Sequence, residues 1–275
     1  MPTKNKIKIK KNTKENRKTK KIKQSYDWII AIASHEREKL IEEKTLRLLT
    51  KHKIPMTNVY VFVSEKSHIK YKPLVEKYKL NLVKSKNSIM DTRNHVINYF
   101  PSDKKIVEMD DDIVNLFKLE YPKPRAPIKN LSTFITNSFK KLKENKGLWG
   151  VNATDDNRKE SVSSKDKFGA YSIINSFCGY FNNKKIKLTV PEKEDFDRTA
   201  QFIKLKLPVL KQSKYGIRSN YWKNKGGIQA HYSFKKRLAV QKKSAELLVK
   251  KFPDYFIKRV RDNGIVDIRF RKTNL

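Results

Sequence analysis

Cysteine is nearly absent: Cys178 stands alone in 275 residues, so neither an internal disulfide framework nor a cysteine-rich zinc site is available. Glycine and proline are scarce as well, at 8 and 10 residues, which excludes collagen-like and low-complexity chains. No apolar run approaches about 20 residues, so no membrane-spanning helix is expected. The lysine-rich start lacks the apolar stretch of a secretory signal, and the expected location is the cytoplasm. Acids are few too. Against 64 Lys+Arg stand 28 Asp+Glu, a formal net charge of +36. What is present is a composition 37% hydrophobic and 11% aromatic, low but sufficient for a buried core. Such an excess of cations points to a polyanion or a phosphate-bearing molecule as partner.

The charge is unevenly spread. Residues 1–24 hold ten Lys and one Arg against one Glu, a net +10 with almost no large apolar side chains. They are expected to form a disordered basic arm, serving either solubility and addressing or nucleic-acid contact. Residues 201–275 hold fourteen Lys and six Arg against four acids, a net +16 within folded-domain patterning. That quarter reads as a binding face.

From residue 26 onward, short apolar runs alternate with helical spacing. Trp28-Ile29-Ile30-Ala31-Ile32-Ala33 and Val59-Tyr60-Val61-Phe62-Val63 read as buried strands, with a helix through residue 51 between them. A short helix at 73–78, a weaker strand at Leu82-Val83 and a helix capped by Ser88 or Asp91 follow. Lys105-Ile106-Val107-Glu108-Met109 then reads as a strand. The alternation predicts an α/β fold with a mostly parallel sheet flanked by helices, and ligands beyond the carboxyl ends of its strands. Residues 121–127 read as a stiff proline-rich connector and 155–167 as a polar loop. Further on come a helix at 132–143, strands at 148–152 and 173–181, helices at 192–202 and 234–251, and an end strand at 265–270.

Asp110-Asp111-Asp112 stands out in so basic a chain. Adjacent carboxylates repel one another unless a cation offsets them. On an extended backbone Asp110 and Asp112 would share a side and could hold one oxygen-liganded divalent ion. The competing reading is an N-cap with surface acids before a helix at 113–119.

The segment Ile106-Val107-Glu108-Met109-Asp110-Asp111-Asp112-Ile113 resembles the strand and D-x-D metal motif of nucleotide-sugar glycosyltransferases with the GT-A fold. Three other elements follow the same order. Thr92-Arg93-Asn94 is similar to the Arg-Asn pair that opens the preceding helix. Ala33-Ser34-His35-Glu36-Arg37 resembles the post-strand Ser-x-x-Arg segment, without its usual proline. Glu194-Asp195-Phe196-Asp197 resembles the downstream acidic motif that carries the catalytic base in inverting members. The basic body is most similar to the glycosyltransferases associated with TET/J-binding-type dioxygenases, which modify hydroxymethylated pyrimidines in DNA.

This resemblance implies a GT-A-like domain over 25–275, with a nucleotide-binding half at 25–120 and an acceptor half at 121–275. It implies a nucleotide-sugar donor, UDP-linked, and a divalent metal, Mn²⁺ or Mg²⁺. Asp110, Asp112 and His231 would be its ligands, although a lone His is also a common structural residue. Ser34, Arg37, Arg93, Asp110, Asp111 and the basic loop Lys225-Gly226-Gly227 would bind the donor. Asp195, or its neighbour Glu194, would be the base, unless both merely complement a helix start. For a DNA acceptor, Arg218, Tyr221, Trp222, Lys235, Lys236 and Arg237, with Tyr215, mix the cations and aromatics that hold phosphates and displaced bases. A phage or other viral source would suit that role. The alternatives are the same transfer to a glycan, protein or small molecule, and a non-enzymatic nucleic-acid-binding protein.

Overall fold

The computed structural model describes residues 26–142, 146–158, 165–219, 233–261 and 265–271. Its first strand, β1 (Trp28–Ser34), shows why the opening run is apolar throughout. Trp28, Ile30 and Ile32 enter one hydrophobic cluster while Ile29 and Ala31 enter another. Successive strand residues face opposite ways, so a strand covered on both faces needs no polar positions.

A helical segment follows in three parts, α1 (Glu38–Ile41), a π-turn (Glu42–Leu46) and α2 (Arg47–Lys51). Then come β2 (Val59–Ser64), α3 (His68–Tyr78), β3 (Asn81–Ser85), α4 (Ile89–Tyr99) and β4 (Lys105–Asp110). The Ser88 side chain caps α4 by accepting the Asp91 N–H at 3.0 Å. Strands β1 to β4 are parallel neighbours in the order β3-β2-β1-β4. Helices α1 to α3 contribute to one cluster, and α4 packs in the other.

The second half comprises β5 (Ile113–Glu120), β6 (Lys123–Pro127), α5 (Leu131–Lys141), β7 (Leu148–Asn152), β8 (Lys167–Phe168), β9 (Phe177–Phe181), α6 (Glu194–Lys204) and β10 (Val209–Ser219). The sheet continues from β4 as β9-β7-β10-β5-β6, with β8 beside β10. Strands β5, β8 and β9 run against the rest, so the sheet is mostly parallel and flanked by helices. Its long strand β10 pairs with β7 through Gln212, shifts register, and pairs with β5 from Tyr215 onward. At that shift Gly216 lets the Thr154 carbonyl approach, since a Cβ there would lie 2.1 Å from its oxygen. Last, α7 (Phe234–Lys251) and the hairpin β11 (Phe256–Val260) with β12 (Val266–Phe270) enclose a third, smaller core with Val190 and Ala200. No helix among the described residues is long and apolar enough to cross a membrane.

Four expectations change. Residues 113–120 form a strand, because β10 supplies a hydrogen-bonding partner that a short apolar run does not reveal. The connector at 121–127 contains the edge strand β6, where prolines cost no ladder hydrogen bond. Residues 173–176 precede β9 instead of forming part of it. The strands β10 and β11 carry polar interruptions and went unmarked in the sequence pattern.

Trp149 in β7 lies opposite Gly179 in β9, and a Cβ on Gly179 would come 2.4 Å from the indole. A fully buried indole has no room to yield. Gly179→Ala is therefore expected to cost about 1–3 kcal/mol in urea unfolding. An unchanged midpoint would show that this pair is not tightly packed.

Candidate active site

The acidic triplet links β4 to β5, with Asp110 ending the strand and the backbone turning at Asp111 and Asp112. The turn, not strand alternation, brings all three residues to the wall of a cavity of about 720 Å³. That cavity lies beyond the carboxyl ends of β1, β2 and β4, where Ser34, Ser64 and Asp110 line it. It also receives Glu194 and Asp195 from the start of α6. The carboxylates read from the sequence thus meet in one place.

Thr45, which the sequence reading missed, holds the turn in shape. Wholly buried in the π-turn, it donates its hydroxyl to the Asp110 carbonyl at 2.8 Å and accepts the Ile113 N–H at 3.0 Å. Both ends of the triplet are therefore fixed to one side chain. A threonine within a polar helical run gives no outward sign of this.

Asp111 faces back into the protein. Ser34 donates to its Oδ2 at 2.7 Å and Arg37 Nη1 meets its Oδ1 at 3.0 Å. Tyr71 ties the same corner, bonding Ser34 and accepting the Arg37 N–H. Burial nevertheless pushes Asp111 up to about 6, against the pull of Arg37. Ser34 and Arg37 thus orient the triplet as well as line the cavity.

Arg93 joins the two acidic motifs. Buried in α4, it pairs with Glu108, reaches Asp110 Oδ1 at 3.2 Å and lies 3.3 Å from Glu194 Oε1. Glu108 is also held by Arg198 at 2.8 Å and by the Tyr180 hydroxyl at 2.7 Å. Burial opposes its charge, but Arg198 and Arg93 hold its carboxyl below the ordinary value. Cys178 beside them is a buried thiol pushed up to about 12 by desolvation, a packing residue and not a nucleophile.

Glu194 is likewise raised by burial, against the pull of Arg93. Asp195 is pushed up to about 7, by burial first and the Glu194 carboxylate second. Its side chain accepts the Phe196 N–H at 3.0 Å. A carboxylate in that range can take up a proton near neutral pH.

Among the described residues no three His, Cys, Asp or Glu side chains cluster in a way that could hold a metal ion. Asp110 and Asp112 still offer two hard oxygen donors at the cavity, a set that suits Mg²⁺ or Mn²⁺ when water and phosphate complete the sphere. Lys225, Gly226, Gly227, His231, Tyr221 and Trp222 lie outside the described residues, as does the 1–24 arm. Arg237 is buried against Glu192, with Nε 3.0 Å from Oε1, and forms part of the cavity wall. Lys235 and Lys236 are exposed on α7. Arg218 pairs with Asp155 at 2.7 Å, and Tyr215 packs against the Phe134 ring with centroids 4.7 Å apart.

No protein-family model matches the chain, and no curated protein matches it in sequence. Among solved structures, Staphylococcus aureus TarS 1–349 in complex with UDP is 12% identical, covering 89% of this chain and 97% of that one, with a TM-score of 0.47. Mannosyl-3-phosphoglycerate synthase from Rubrobacter xylanophilus is 8% identical over 89% and 85%, with a TM-score of 0.44. The 4-diphosphocytidyl-2C-methyl-D-erythritol synthase from Anaerococcus prevotii is 12% identical over 70% and 88%, with a TM-score of 0.41.

Two outcomes follow from this geometry. Thr45→Val leaves the Asp110 carbonyl and the Ile113 N–H without their shared partner and is expected to cost about 1–3 kcal/mol in urea unfolding, whereas Thr45→Ser stays near wild type. Equal stability of all three proteins would remove Thr45 from its role. The second concerns pH. Between an unfolded value of 3.8 and a folded value of about 7, Asp195 binds more protons in the native state. Stability therefore falls as pH rises through that window, then levels. Melting temperatures should show Asp195→Asn gaining on wild type from about pH 4 to 7 and holding a constant margin above. Parallel curves would contradict the raised value.

Proposed function

We propose that this protein is a metal-dependent GT-A-type glycosyltransferase that moves a hexose from a nucleoside diphosphate sugar, UDP-linked, to a hydroxyl acceptor, the 5-hydroxymethylpyrimidine of DNA. One observation carries the reading. The Asp110–Asp112 turn and Asp195 open on the same cavity beyond the carboxyl ends of parallel strands, with Arg93 bridging the two motifs. A volume of about 720 Å³ falls in the range of pockets for small organic ligands.

Asp110 and Asp112 would hold the divalent ion, which supplies Lewis-acid neutralisation of the departing diphosphate. Arg93 sets the geometry: by engaging Asp110 and Glu194 together it keeps the metal-side and acceptor-side carboxylates at a fixed separation. Asp195 takes the proton from the acceptor hydroxyl as the sugar–phosphate bond breaks. Its raised value keeps it basic enough for that transfer near pH 7. The net charge of +36 supports a polyanionic acceptor.

The test is incubation with a nucleotide-sugar panel and hydroxymethylated DNA, followed by nucleoside mass spectrometry. A hexosylated nucleoside is expected, and modification of only a non-nucleic-acid acceptor would overturn the DNA assignment. UDP with Mn²⁺ should raise the melting temperature of wild type but not of Asp110→Ala or Asp112→Ala. No shift in wild type would sink the transferase reading. Asp195→Asn is expected to lower turnover by roughly 10²–10⁴ with donor binding retained, and to lose a rise in activity through about pH 7. Full activity in that variant would assign the base elsewhere.

A further inference from the structure

Helix α7 has two faces with opposite tasks. Its inner face carries Arg237, Ala245 and Leu248, which are buried. The Glu192–Arg237 pair fastens it to the start of α6, two residues before Glu194, and Gln241 adds a bond to the same carboxylate at 3.3 Å. Lys251 closes the other end on Asp197 at 2.9 Å. Through Arg237, Leu238 and Gln241 the helix also forms part of the cavity wall.

The outer face is a row of cations. Lys236, Lys243 and Lys250 are exposed and recur every seven residues. Seven residues make two helical turns less about 20°, so the three side chains form a nearly straight stripe about 21 Å long. Lys235 and Lys242 make a parallel row beside it, also exposed. An ordinary solvated helix interleaves acids with such lysines at spacings of three or four. Here seven cations share the helix with a single acid, Glu246, which pairs with Lys258 on β11. The first turn holds Lys235, Lys236 and Arg237 and no acid of its own, and of these Arg237 is neutralised by Glu192. A row of exposed lysines at this spacing is complementary to the regularly spaced phosphates of a polyanion.

We propose that the outer face of α7 is the track for the acceptor's phosphate backbone, placing the strand so that its modified base reaches the cavity at the helix's first turns. This rests on the transferase reading for the base's destination, but not for the track itself. A stripe of about 21 Å spans roughly six base steps at 3.4 Å each. An anionic membrane suits the helix poorly, because Ala245 and Leu248 are packed against β11 and β12 and, among the described side chains of α7, Leu247 is the one large apolar group left exposed, too little to anchor it in lipid.

The test compares wild type with two triple variants of equal charge change. One is Lys236→Gln, Lys243→Gln and Lys250→Gln. The control is Lys70→Gln, Lys72→Gln and Lys79→Gln, exposed lysines in and just after α3. Affinity for a labelled DNA duplex is read by fluorescence anisotropy as salt is raised from about 50 to 200 mM. Loss of three phosphate contacts should make the slope of log affinity against log salt shallower by about 2.7 in the α7 variant, with the control unchanged. Equal losses in both variants, no DNA binding by wild type, tighter binding to RNA of the same sequence, or tighter binding to phosphatidylserine vesicles would each overturn the proposal. The UDP–Mn²⁺ thermal shift, measured on the same proteins, reports separately on the transferase reading. Its absence beside an intact α7 effect would leave the track standing and remove the reaction.

Discussion

Everything at the cavity depends on a charge that has been removed from water. Arg93 is 5% exposed and Glu108 2% exposed, and neither would survive there alone. Their mutual attraction, with Arg198 and Tyr180 completing the shell of Glu108, offsets the desolvation cost. Such a group destabilises sharply when one partner is lost, because the other remains buried and uncompensated. The network also joins α4, β4, β9 and α6, four elements distant in sequence. Two acidic motifs more than eighty residues apart can therefore keep one geometry. A hydrophobic contact would hold the elements together equally well, but it would not aim carboxylates.

The acidic centre and the basic exterior are complementary parts of one design. Inside, burial raises the proton affinities of Asp111 and Asp195, and neighbouring carboxylates add to the rise. Outside, lysines line α7 almost without acids. A polyanion approaching this surface is drawn by the exterior and repelled by the carboxylates within. Neutralising the inner charge, by proton or divalent ion, would be part of admitting it.

Much of the first half could be read directly from the sequence because β1, β2 and β4 are covered on both faces, which leaves continuous apolar runs as their trace. The position of Asp110 at a strand end followed from the same pattern. The second half was harder for a specific reason: β10 interrupts its alternation with Lys211, Gln212, Ser213 and Lys214 around a register shift. Without β10, the run from Ile113 has no visible partner, and a short apolar segment fits helix and strand alike. Thr45 and Glu192 left no trace because their importance lies in what they bond across space. Charge composition marked a basic quarter but could not tell Arg237, turned inward, from Lys236, turned outward.

The switch of partners along β10 has a consequence for how the protein comes into being. Strand β5 is complete by residue 120, yet its neighbour toward the sheet centre ends at residue 219. A ribosome supplies those intervening residues over seconds. Until they arrive, β5 can pair only with β6, and the hairpin that follows the acidic turn has no place in the sheet. Completion of the cavity wall is thereby deferred until β10 and α6 both exist, so the Asp110–Asp112 turn meets Glu194 and Asp195 only together with the sheet that encloses them.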